Sequence, residues 1–104
     1  MGKYVLVYKG GAMAETEAAQ QEAMTQWMNW FGTLGQAIVD AGAPFGPSST
    51  VASDGAVSDG AASQLTGYSI IDAADMAAAC AAAKGCPILS GGGEIEVYEA
   101  MPMG

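Results

Sequence analysis

The segments DGAVSDG (54–60), QLTGYSIIDAADMAAACAAAKGCP (64–87) and GGEIEVYEAMP (92–102) decide the fold of this chain. Asp54-Gly55 is a dipeptide typical of two-residue hairpin turns, so residues 48–53 and 56–58 read as the arms of a hairpin. After a polar loop over 59–64, Gly67-Tyr68-Ser69-Ile70-Ile71 has the composition of a strand. Asp72, with Asp75 three places on, suits the cap of a helix over 73–84, and Lys84 then Gly85 close it in the expected order. Most of that helix is alanine, and side chains so small let it lie close to a sheet. Residues 94–101 alternate as a closing strand.

Working outward, residues 3–9 form a strand in which Tyr4, Leu6 and Tyr8 face one way and Val5 and Val7 the other. A strand apolar on both faces belongs in the middle of a sheet. A long helix is expected over 15–41, with Glu15, Thr16 and Glu17 at its positive end and Gly42 and Pro44 at its stop. Ala23, Trp27, Phe31 or Trp30, Leu34 and Ile38 make its apolar stripe, while Gly32 and Gly35 lower its propensity, so the backbone there either approaches the sheet or bends. The order is βαββαβ with an extra β-hairpin strand: an α+β, ferredoxin-like antiparallel sheet with two helices on one face. Tyr4, Leu6, Tyr8, Tyr68 and Ile70 cannot all be covered from the helix side if Val5, Val7 and Ile71 are. Part of that area needs a second copy of the chain, and a homodimer is expected.

Composition bounds the function. The 104 residues, 51% of them apolar, suffice for one domain spanning 1–104. A net charge of −8, with no arginine, repels phosphate backbones and anionic bilayers, so neither nucleic acid nor membrane is an expected partner. The apolar run over 4–8 is too short for a secretory leader or a membrane span, and Leu6 spoils the myristoylation pattern begun by Met1-Gly2; a cytoplasmic protein is expected. Cys80 and Cys86 do not make a disulfide framework.

The C-terminal half resembles the YCII-like, or DGPF-domain, family. The resemblance rests on Asp54-Gly55, Asp59-Gly60, Leu65, Gly67-Tyr68, Ile71-Asp72, Cys86-Pro87, Glu96-Val97 and Met101-Pro102. It implies a ferredoxin-like unit that pairs into a dimeric α/β barrel. Two departures are specific: Ala61 and Ala62 stand where the family carries Pro and Phe, and part of the following acidic loop is missing. Family members proposed to be enzymes carry a histidine beside an aspartate. This chain has no histidine, so that acid–base pair is absent and enzymatic activity is left open.

Candidate chemistry is sparse. Asp59 matches the aspartate of the family's second DG and is either a pocket carboxylate or a loop residue bonded to its own backbone. Glu94, Glu96 and Tyr98 share one face of the last strand. That face is either a solvated sheet edge or, if Glu96 meets an interface, the place of an acid or base. Trp27 and Trp30 lie about one turn apart and are either core or the wall of an aromatic pocket. Cys80 and Cys86 read as inert packing, and Met101 and Met103 are weak support for copper(I). The glycine clusters at 10–11 and 91–93 do not lead from a strand into a phosphate-binding helix, and neither a zinc spacing nor a Ser–His–Asp set is present. No metal or cofactor is expected. Three readings remain. The first is a homodimeric small-molecule binding protein with a pocket lined by Tyr8, Trp30, Phe45 and Tyr68. The second is a cofactor-free enzyme using Asp59 or Glu96 as general base on an oxo or lactone substrate. The third is a regulatory accessory protein.

Overall fold

The computed structural model of the chain describes residues 2–11 and 15–102. Strand β1 (Gly2–Lys9) leads to helix α1 (Glu17–Leu34), strand β2 (Ile38–Pro44), a hairpin of β3 (Ser49–Val51) and β4 (Val57–Asp59), strand β5 (Leu65–Ala73), helix α2 (Met76–Ala83) and strand β6 (Glu94–Ala100). The main sheet has the order β2-β5-β1-β6, and β1 pairs antiparallel with both β5 and β6, as β2 does with β5. Two βαβ units, each split by a strand of the other, give the ferredoxin-like arrangement expected.

Three boundaries differ from the sequence reading. Helix α1 stops seven residues before Ala41, the expected end (41 − 34), because Gly35 takes φ +53° and returns its N–H to the Phe31 carbonyl. The β-branched pair Ile38-Val39 then opens a strand. Gly42 is therefore not a helix stop but a bulge within β2, where the register against β5 shifts twice. The hairpin around Asp54-Gly55 stands in a sheet of its own instead of adding a strand to the main one. Its turn is wider than two residues: Ala52 N donates to the Ala56 carbonyl, and Asp54 Oδ1 accepts from Ala56 N at 2.9 Å. Finally, β5 runs through Asp72 to Ala73, and Asp75, not Asp72, caps α2 by accepting from Ala78 N at 2.8 Å. Thr16 caps α1 in the same way, its Oγ1 accepting from Ala19 N.

The register settles which residues share a face. Tyr4 pairs with Ile71, and Leu6 with both Ser69 and Val97. Ile71 thus lies with the tyrosines of β1 under the helices, whereas Tyr68 and Ile70 lie with Val5 and Val7 on the opposite face, correcting the expected grouping. Tyr4, Leu6, Tyr8, Ile71 and Ala73 form the core with Trp30 of α1 and Ala79 and Ala83 of α2. Ala79 is wholly buried, as the alanine-rich helix predicted. The fold measures 43 × 42 × 19 Å, a thickness that holds one sheet and one layer of helices. Among the described residues no helix covers the second sheet face.

Candidate functional site

A cavity of about 620 Å³ opens between α1 and the β2–β5 side of the sheet. Residues at helical spacing on α1, namely Gln20, Met24, Trp27 and Phe31, form one wall. The facing wall is backbone and small side chains: Ala41, Gly42 and Ala43 of the bulge, and Gly67 beside Tyr8. The space exists because these positions send almost nothing towards the helix. A β-carbon on Gly67 would lie 3.1 Å from the Ala43 carbonyl oxygen and 3.4 Å from the Tyr8 ring.

The aromatic wall is ordered by ring contacts. Tyr8 meets Trp27 edge to face at 5.2 Å between centroids, and Trp27 meets Phe31 at 5.8 Å. At the inner end the Tyr8 hydroxyl lies 2.6 Å from Ser69 Oγ, which lies 2.7 Å from the Ala41 carbonyl oxygen. Burial pushes the Tyr8 phenol up to about 12, with the Ser69 hydroxyl opposing the shift. Met24 and Met28 stand at the open end. No charged side chain among the described residues lines the cavity.

The expected pocket residues divide. Tyr8 lines the cavity; Tyr68 borders it, but the register sends its ring to the opposite face of the sheet, so the two tyrosines do not share a pocket wall. Trp30 does not line it: it is buried beneath α2, and its Nε1 donates to the Ala82 carbonyl at 3.0 Å. The neighbouring Trp27 occupies the wall instead. Phe45 stacks on the Tyr68 ring at 5.8 Å and is not among the lining residues. Asp59 lies exposed at the end of β4, and Glu96 lies exposed on the helix-free face, where Tyr98 donates to Glu96 Oε1 at 3.4 Å. Neither carboxylate lines the cavity. The sequence reading missed Ser69 and the α1 methionines. A serine in phase with Leu6 and Ile71 in an otherwise apolar strand was the available signal for the first.

The helix-free face carries its own pattern. Val5, Val7 and Ile70 are half-buried at its centre. On one side Tyr68 donates to Asp40 Oδ2 at 3.3 Å, and the charge of Asp40 raises the Tyr68 pKa; on the other lie Glu96 and Tyr98.

The cysteines are free, Cys80 exposed and Cys86 buried. Burial pushes the Cys86 thiol up to about 11, with a hydrogen bond from the Ile88 backbone opposing it. A maleimide should therefore label Cys80 in the folded protein and reach Cys86 only after denaturation, as mass spectrometry of peptides would read; equal labelling of both would contradict the packing of Cys86. Among the described residues no three His, Cys, Asp or Glu side chains come together in a metal-binding group. Met101 is exposed, and Met103 lies outside the described residues. No helix among the described residues is long and apolar enough to cross a membrane.

An α+β domain of ferredoxin-like order, with an apolar cavity between its first helix and its sheet, is the class these features define. The chain belongs to the YCII-related domain family, whose sequence profile matches residues 1–104. No protein of curated function and no solved structure matches it.

Proposed function

We propose that this protein is a homodimeric small-molecule binding protein whose ligand occupies the cavity between α1 and the β2–β5 side of the sheet. The observation that carries this reading is the cavity itself. Its volume of about 620 Å³ lies in the range that holds small ligands, and its walls are apolar with a few convergent polar groups. The dimer half of the reading is supported by the helix-free face, where Val5, Val7 and Ile70 form an apolar centre that no helix among the described residues covers, in a fold one helix layer thick. A reading with Asp59 or Glu96 as general base draws no support from the cavity, since neither lines it.

Native mass spectrometry of the purified protein tests both halves. The expected result is a dimer carrying extra mass that is lost on collisional activation. Val7→Glu, which places a charge at the centre of the helix-free face, should shift the dimer to monomer without unfolding the chain. A wild-type monomer would overturn the dimer, and a dimer that takes up no small molecule from any supplied mixture would overturn the ligand.

A further inference from the structure

We infer that the cavity selects a neutral, planar aromatic molecule with one hydrogen-bond donor at its inner end, a phenol, naphthol or indole in chemical type; this rests on the small-molecule reading proposed above. The argument begins with the direction of a proton chain. The Ala41 carbonyl can only accept, so Ser69, 2.7 Å away, must donate to it. A serine hydroxyl has one hydrogen, so Ser69 Oγ has none left for Tyr8. The Tyr8 hydroxyl, 2.6 Å from Ser69 Oγ, must therefore donate in turn. Both hydrogens at the floor are committed, and with Ser69 wholly buried what the floor offers a ligand is the lone pair of the Tyr8 hydroxyl. A ligand that brings its own donor is satisfied there; one that brings only an acceptor is not.

Position and charge narrow the class further. Tyr8 and Ser69 are 5% and 0% exposed, against 66% and 69% for Met24 and Met28, so the polar end of the site is its deep end. An anion placed there would lose its hydration against lone pairs, with no cation among the described lining residues and a protein of net charge −8 around it. A cation would find ring faces but no carboxylate. Trp27 and Phe31 on one wall, across from the small residues Gly42, Ala43 and Gly67, offer ring surface on which an aromatic molecule gains most.

Isothermal titration calorimetry of the full chain with four probes at neutral pH tests this: 2-naphthol, 2-methoxynaphthalene, 2-naphthoate and 1-naphthylmethylammonium. The expected order has 2-naphthol tightest, the methyl ether about tenfold weaker for want of its donor, and the two charged probes weaker by about a hundredfold. Tyr8→Phe should abolish the difference between 2-naphthol and its ether. Ser69→Ala frees the Tyr8 hydrogen to donate, so there the difference should shrink or reverse; either variant suffices if the other does not fold. Equal binding of 2-naphthol and its ether in the wild type, or preference for either ion, would overturn the inference and leave the small-molecule reading standing. Saturable binding by none of the four would overturn the inference, while uptake of another compound in the native mass experiment would still uphold the reading.

Discussion

Gly42→Ala should destabilise the fold by about 3 kcal/mol or more in chemical denaturation. Gly42 sits at φ +79°, and a β-carbon there would lie 1.7 Å from the Tyr68 carbonyl oxygen and 2.6 Å from its carbon. The obstacle is backbone, and the clashing atom is the first of the side chain, so no rotamer relieves it. Strand β2 would have to move away from β5, breaking the Ser69-to-Ala41 hydrogen bond and the loop held by Asp40 Oδ1, which accepts from Gly42 N at 2.8 Å. Gly55→Ala is the control. Gly55 also has positive φ, +90°, but its β-carbon would meet nothing within 4 Å, so the cost should be about 1 kcal/mol, that of the left-handed backbone alone. Equal losses for the two substitutions would show that the bulge is not packed as described.

Trp30→Ala should cost about 3–5 kcal/mol, read as a fall in the denaturation midpoint. Trp30 is the one buried residue of α1, 5% exposed, and it joins the two helices by its hydrogen bond to the Ala82 carbonyl. It also abuts Gly85 at the end of α2, where a β-carbon would come within 3.1 Å of the indole. Trp27→Ala, at a half-buried position on the cavity wall, should cost less stability and more ligand affinity. Should Trp30→Ala prove nearly as stable as the wild type and lose ligand instead, Trp30 would regain the ligand-facing role that the sequence suggested.

Much of this architecture was legible because its strands and caps are local. Tyr4-Val5-Leu6-Val7-Tyr8 alternates as a central strand must, and Gly67–Ile71 and residues 94–100 declare themselves by composition. The second strand was not legible. Ile38 continues the apolar spacing of α1, and Gly42 followed by Pro44 resembles a helix end, so the strand hid inside an apparent helix until Gly35 was seen to end it. That one misplacement propagated, because the hairpin was then needed to supply a strand that β2 already provides. The site was half legible for a related reason. Tyr8 follows from strand alternation alone, but whether Trp27 or Trp30 faces the cavity depends on a helix rotation of about 60° between them. That rotation is set by where Ala82 offers its carbonyl, a contact across 52 residues of sequence.

The outline of the sheet bears on how copies of the chain would meet in the proposed dimer. An open sheet has two free borders, each a template on which another strand could grow. Here one border, β2, changes register twice and ends at Pro44, so it presents no straight ladder. The other, β6, carries Glu94, Glu96 and Glu99, and copies aligned along it would set carboxylates against carboxylates. Both borders thus disfavour the addition of a further strand, by different means, and the broad helix-free face is the surface on which the proposed dimer would form.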